Sequence, residues 1–384
     1  MSDKSGYDAV VVGAGVIGLS AAWRAARRGA SVIVVDRAQP PAGATRVAAG
    51  MLAPIGELSF GEPELLQVTL AAAELYPGFV AELEAATGIG TGYTRHGALH
   101  VALDRDEAAG LRRIHELQRS LGLGAEWLPP RRCRELEPAL TPALSGGVYA
   151  PEEAAVDPRR LTAALLAALA SEGVEVRTGT EVSAPLLRGE RLEGVRTSAG
   201  EELHAPFVVA AMGAWSGARS WLPEEARPPV RPVKGQIVEL RTPEGRAPCE
   251  RIVASERVYL VPREDGRLIA GATVEERGFD TTVTAGGVHE VLREAYRLLP
   301  DVAEMELVEA MAGLRPGTPD NLPVVGPGPI EGLVLACGHY RNGILLAPLT
   351  AESVADLLEE ARPARSTFRP DGDPKGNRVA GRLR

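Results

Sequence analysis

One stretch near the N-terminus constrains this chain more than any other: Tyr7-Asp8-Ala9-Val10-Val11-Val12-Gly13-Ala14-Gly15-Val16-Ile17-Gly18, then Leu19 to Ala30, then Ser31-Val32-Ile33-Val34-Val35-Asp36. A short apolar run enters Gly-x-Gly-x-x-Gly, a helical segment follows, and a second apolar run closes on an acid. This is a complete βαβ unit in about thirty residues. Gly13 permits the tight turn out of the first strand, Gly15 lets backbone approach a pyrophosphate, and Gly18 lets the helix pack close to the sheet. The N–H groups and positive dipole end at the helix start suit a diphosphate. Asp36, at the end of the second strand, is placed to accept from a ribose hydroxyl. The spacing predicts dinucleotide binding.

At 384 residues, 45% of them apolar, the chain is long enough for about two domains with sizeable cores. A formal charge of −9 and the lack of a basic stripe argue against a nucleic-acid partner. Cys133, Cys249 and Cys337 are far apart, with no CxxC pair and no histidine at metal spacing. They fit a reducing cytosol, and no metal is expected. Met1 to Gly6 do not read as a signal peptide, and the apolar runs are too short to span a bilayer. A cytoplasmic protein without membrane contact is expected.

Further along, Glu62 to Thr87 reads as a long helix bent at Pro77, and Asp106 to Leu121 as another. Tyr93 to Leu103 alternates like a strand or hairpin. Gly146 to Asp157 reads as a loop leading to a helix capped by Asp157 and Pro158. The strands 174–177, 192–197 and 207–212 are expected to complete the nucleotide-binding sheet. Val258 to Pro262 and Leu268 to Thr273 flank Glu264-Asp265-Gly266, a hairpin that puts Tyr259 and Val261 on one face. A strand over 307–312 leads into a loop, Gly313-Leu314-Arg315-Pro316-Gly317-Thr318. A last strand, 333–337, enters Gly338-His339-Tyr340-Arg341-Asn342-Gly343 and a helix from about Ile344 to Glu360.

Taken together, these pieces resemble the D-amino acid oxidase family of flavoproteins, most closely its glycine oxidase branch in thiamin biosynthesis. The resemblance rests on Val11 to Gly18, Ala48-Ala49-Gly50-Met51-Leu52, Tyr259-Leu260-Val261-Pro262-Arg263 and Gly271-Ala272-Thr273. It rests equally on Gly313 to Thr318 and Gly338 to Pro348, in the family's order. It implies an α/β fold: a doubly wound, Rossmann-like FAD-binding domain of residues 1–90, 145–222 and 312–370. A second α+β substrate domain on a mixed sheet would hold 91–144 and 223–311, with 371–384 a disordered tail. By that likeness Gly13, Ala14, Gly15, Val16, Ile17, Gly18, Asp36, Arg37, Thr45, Ala48, Ala49, Gly50 and Met51 would contact non-covalent FAD, with Val182 and Gly213 beside the adenine and diphosphate. Gly338, Arg341, Asn342, Gly343, Ile344 and Leu345 would face the flavin pyrimidine edge.

The resemblance also implies the chemistry. Arg315 would hold a substrate carboxylate, since a planar fork bonds both oxygens at once. Tyr259 would assist it, and Arg341 would lie beside substrate or flavin. With the carboxylate fixed and the amine neutral, the Cα–H would leave as hydride to flavin N5, with O2 as acceptor, giving H2O2 and an imine or glyoxylate. Glycine, sarcosine and small D-amino acids are the substrates implied, and a homotetramer the assembly. Val274 stands where the family often has a methionine near the substrate, which bears on pocket size. Alternatives are a quinone-linked D-amino acid dehydrogenase, a sarcosine oxidase with flavin attached at Cys337, or a nucleotide-sensing module without turnover.

Overall fold

The computed structural model describes residues 6–218, 221–243 and 245–360, and the tail expected at 371–384 lies outside them. The glycine-rich stretch forms the expected unit: strand Ala9–Val12, helix Val16–Arg27 and strand Val32–Val35, the two strands parallel. Gly13 has φ +115°, and a Cβ there would lie 2.3 Å from the Ala211 carbonyl oxygen. A Cβ on Gly18 would lie 1.9 Å from the Gly13 carbonyl oxygen, so this glycine seats the helix on its strand.

Among the described residues these strands belong to a six-stranded sheet. Its order is Val324–Pro327, Leu333–Cys337, Phe207–Ala210, Ala9–Val12, Val32–Val35, Glu175–Arg177. All neighbours are parallel except the first pair. The central strands are buried on both faces, which is why they read as unbroken apolar runs. One face carries the helices Val16–Arg27, Pro63–Thr87, Pro158–Ser171 and Gly343–Glu360. Their Trp23, Tyr76, Leu165 and Leu346 share a core with Ala9 and Val11 of the first strand. Pro77 lies inside the second of these helices, and Gly88 ends it in the left-handed region.

The opposite face corrects the expectation for 192–197. This strand does not join the nucleotide-binding sheet. It pairs with Val182–Arg188 and Glu202–His204 in a separate antiparallel sheet. Leu192, Val195 and Leu203 pack down on Val10 and Val12 while Arg196 stays exposed. A strand apolar on one side can cover such a sheet but cannot sit within it.

Among the described residues an eight-stranded sheet forms the second part. Its order is Glu306–Gly317, Arg231–Arg241, Arg267–Gly271, Tyr259–Pro262, Ile252–Ala254, Ala98–Ala102, Gly146–Ala150, Glu126–Leu128. Only Ala98–Ala102 and Ile252–Ala254 run parallel within it, so the sheet is mixed. Helix Ala285–Leu298 covers one face, with Val291, Ala295 and Leu298 in a core with Val238, Leu260 and Leu268. The other face carries Ile237, Val261, Ile269 and Met311 and meets Ala49 and Ala155.

Three local readings change. Gly146–Ala150, expected as a loop of the FAD-binding domain, is a strand of the mixed sheet. Its glycines permit close approach: a Cβ on Gly147 would lie 2.8 Å from the His100 carbonyl oxygen. The expected loop from Gly313 is the continuation of a strand through Gly317, which places Arg315 in register with Val233. The Pro/Gly stretch Arg37 to Arg46, which by its composition reads as a loop, contains the start of a short helix, Gly43–Val47.

Candidate active site

A cleft with a cavity volume of about 330 Å³ opens where the first strands of the parallel sheet end. Its lining begins at Gly13, Gly15, Val16 and Ile17, passes Asp36, Arg37, Thr45 and Ala48, and includes Val182, Gly213 and Trp215. It continues to Pro316, Cys337, His339, Arg341, Gly343 and Ile344. Segments from both ends of the chain therefore face one space.

The details suit a dinucleotide. A Cβ on Gly15 would meet only the Thr45 hydroxyl, at 3.3 Å, so the protein leaves the helix N-terminus open to a phosphate. The Thr45 hydroxyl oxygen accepts from the Val16 N–H at 3.1 Å, tying the helix Gly43–Val47 to the phosphate end. Asp36 accepts from the Ala14 N–H at 2.6 Å and the Ala38 N–H at 2.7 Å. An ionised carboxylate has about four acceptor positions, so it keeps capacity for a ribose hydroxyl.

Not every residue expected at the cofactor lines the cleft. Ala14 and Gly18 act in the turn behind it. Ala49 packs in the core of the mixed sheet's inner face, and Met51 pairs with Ala155. Gly50 has φ +77°, and a Cβ there would lie 2.0 Å from the Val156 carbonyl oxygen. Gly338, at φ +74°, shapes the turn between the lining residues Cys337 and His339. Asn342 borders a smaller pocket with Glu57 and Pro54, while Leu345 is buried in the core behind.

Two lining residues have settled chemistry. Burial pulls the His339 imidazole down to about 3, and its Nε2 lies 2.9 Å from the Thr350 hydroxyl, which suits a neutral structural group. Burial pushes the Cys337 thiol up to about 12. A thiol that stays protonated is a poor nucleophile for attaching a flavin.

A different kind of site lies on the inner face of the mixed sheet. Tyr259, Gly271, Ile237 and Met311 stand opposite one another across four strands. Arg315 lies four positions beyond Met311 on its strand, which puts it on the same face as Tyr259. Both polar groups stand over glycines. A Cβ on Gly235 would lie 2.3 Å from Arg315 Nη1, and one on Gly271 would lie 2.5 Å from the Tyr259 hydroxyl. Arg315 Nη1 donates to the Thr273 carbonyl at 3.2 Å and the Lys234 carbonyl at 3.4 Å, which fixes the guanidinium. Burial raises the Tyr259 phenol above its ordinary value against the pull of the adjacent Arg315, with Glu57 adding to the rise.

Glu57 is the residue that sequence reasoning missed. It sits in an irregular turn with no motif around it. Burial lifts its carboxyl above the usual range; Arg341 opposes this, Glu153 adds to it, and His100 and Arg315 oppose it. The turn is fixed from below by Glu153, whose carboxylate accepts from the Ile55 N–H at 2.9 Å. Val274, by contrast, is 68% exposed and lies outside the lining of the cleft.

Comparison with known proteins gives the family. The family described as DAO, FAD dependent oxidoreductase, matches residues 8–357. The glycine oxidase of Geobacillus kaustophilus is 38% identical over 363 residues, covering 93% of this chain and 94% of that protein. Its crystal structure superposes with a TM-score of 0.85 at 37% identity, over 93% of this chain and 96% of that one. The bifunctional protein ThiO/ThiG of Trichormus variabilis is 38% identical over 358 residues. That match takes in 92% of this chain and 53% of the relative, so the chain spans about half the length of the bifunctional protein. With the match spanning both sheets and both ends of the cleft, the chain belongs to the DAO family of FAD-dependent oxidoreductases.

Proposed function

We propose that this enzyme oxidises glycine and other small amines, sarcosine and small D-amino acids among them, with non-covalent FAD and with O2 as acceptor. From glycine the products are H2O2 and an imine that hydrolyses to glyoxylate and ammonia. The observation that carries this reading is the pairing of Arg315 with Tyr259 on one sheet face, next to a cleft whose lining includes Pro316.

FAD, when bound, supplies the two-electron acceptor. Gly15 and Thr45 would hold its diphosphate, Asp36 a ribose hydroxyl, and Val182 and Gly213 the adenosine side. Gly343 and Ile344 begin the helix Gly343–Glu360, whose positive end suits an anionic pyrimidine edge. Arg315 would bind the substrate carboxylate through the donors it does not spend on Thr273 and Lys234. Tyr259, kept protonated, would donate one further hydrogen bond. Arg341 and Glu57 complete the surroundings, so a ligand with both a carboxylate and an amine meets complementary groups. Holding the carboxylate fixes where the Cα–H points, and exclusion of water strengthens each of these contacts.

The same proposal assigns the parallel sheet with its helices to the cofactor and the mixed sheet to the substrate. It places the enzyme in the cytosol as a homotetramer, and the buried free thiols of Cys133, Cys249 and Cys337 fit a reducing compartment. Delivery of the imine to thiamin thiazole synthesis belongs to this reading too.

The test is an absorbance spectrum of purified protein before and after anaerobic addition of glycine. A yellow protein bleached by glycine, then producing peroxide in air without added carrier, supports the oxidase. A colourless protein that binds NADH overturns it. Fast anaerobic bleaching with background oxygen uptake, restored to turnover by a quinone, assigns the dehydrogenase instead.

A further inference from the structure

The segment from Thr273 to Thr284 leaves the mixed sheet and returns to it, yet its tip contacts the other half of the molecule. Both ends are tied to one strand. The Lys234 N–H donates to the Glu275 carbonyl and the Glu275 N–H to the Lys234 carbonyl, each at 2.9 Å. The Gln236 side chain donates to Glu275 at 2.7 Å and accepts from the Thr284 N–H at 2.8 Å. Lys234, only 1% exposed, extends its ammonium to Asp280 at 3.2 Å and Glu275 at 3.8 Å. Asp280 in turn accepts from the Thr282 N–H at 2.9 Å. Such an anchor holds the neighbouring tip residue, Phe279, in place.

Phe279 is 45% exposed and belongs to none of the buried apolar clusters. Its ring stacks on Trp215, with centroids 5.8 Å apart and planes 29° from parallel. The Arg37 guanidinium also lies over the Trp215 ring, at 4.6 Å from its centroid. Trp215 and Arg37 both line the cleft. The indole wall of the dinucleotide site is therefore held by two groups, one on the nucleotide-binding sheet's own loop and one sent across from the substrate side.

The geometry points to Phe279 as a positioning residue for FAD: through Trp215 it braces the cleft wall and slows release of the cofactor. A segment anchored by a buried ammonium, carrying a half-exposed aromatic ring onto a cleft wall, gains little as core packing. Its contact energy goes into the order of Trp215 and Arg37. This rests on FAD occupying the cleft.

The measurement is the rate at which holoenzyme releases FAD after dilution, followed by the rise in free-flavin fluorescence. An aromatic pair of this kind corresponds to about a three- to tenfold change, so Phe279→Ala should speed release by about that factor. Phe279→Tyr should restore the parental rate, and Asp280→Asn, which loosens the anchor, should give a smaller increase. Thermal melting of the apoproteins should be nearly the same for parent and Phe279→Ala. A Phe279→Ala protein that holds FAD as long as the parent overturns the brace. So does faster release accompanied by an equal loss of apoprotein stability, or by a change in oligomeric state that Phe279→Tyr does not reverse. A parent that purifies without flavin would refute the assignment of the cleft itself, a different result from any of these.

Discussion

On the proposed reading, the cleft and the sheet face beside it would recognise their ligands by opposite means. The cleft brings glycines and backbone groups together with Asp36, Arg37, Thr45 and Trp215, and many of its lining residues lie close together in the chain, from Val12 to Ala48. Beside it the groups are long side chains gathered from across the chain: Tyr259 and Arg315 on the sheet face, Glu57 from its turn, and Arg341 from the lining of the cleft. The glycines differ accordingly. Gly13 and Gly18 make room for other protein atoms, Gly15 makes room for a ligand, and Gly235 and Gly271 make room for functional side chains. Backbone recognition survives changes of neighbouring side chains, whereas side-chain recognition depends on each residue separately.

The largest effects should separate the glycines. Gly15→Val should abolish flavin binding, because a branched side chain would take the place of the pyrophosphate, while the apoprotein keeps its fold by circular dichroism. Gly18→Ala should fail in the reverse order, losing soluble folded protein first, since its Cβ would lie 1.9 Å from a carbonyl oxygen. A Gly15→Val protein that still purified yellow would remove the distinction between the two.

A smaller effect is expected on the sheet face. Arg315→Leu removes a charge-assisted, two-pronged contact worth about 1.5–3 kcal/mol per hydrogen bond. Its kcat/KM for glycine should fall at least about a hundredfold, with FAD occupancy unchanged. Unaltered glycine kinetics at full occupancy would move the carboxylate anchor elsewhere, with Arg341 next in line. Smallest is Tyr259→Phe, which deletes one hydrogen bond from an uncharged donor. It should cost about tenfold, mostly through KM, and leave the flavin spectrum as in the parent. A loss as large as that of Arg315→Leu would mean that the phenol does more than assist.

How much could be read from the chain follows from the same contrast. The βαβ unit was legible because its parts are adjacent, and each glycine has a local steric cause. The hairpin face was legible too: Tyr259 and Val261 do share it, as period-two spacing requires. What misled was glycine used for approach between strands. Gly146-Gly147 and Gly313 read as loop signals, yet they sit in strands where a neighbour comes too close for a side chain; a Cβ on Gly313 would lie 3.0 Å from Val47. Arg315 thereby passed for a loop residue although a strand holds it. Glu57 left no signal, because an acid in an irregular turn acquires meaning only when Arg315 and Arg341 are brought to it by the fold.

The strand order has a consequence for how the molecule is made. Ala9–Val12 and Val32–Val35 leave the ribosome early, but Phe207–Ala210 must take its place beside the first of them. At about 5–20 residues per second this neighbour follows roughly ten to forty seconds later. Leu333–Cys337 follows later still, and with it the helix whose Leu346 and Ala347 close the core over Trp23 and Tyr76. Until then an apolar parallel strand waits with one edge unpaired, the condition in which chains pair with the wrong neighbour. A chain cut off near residue 330 would lack both that strand and that helix, so translation must run almost to the final described residues before the parallel-sheet half of the molecule can close.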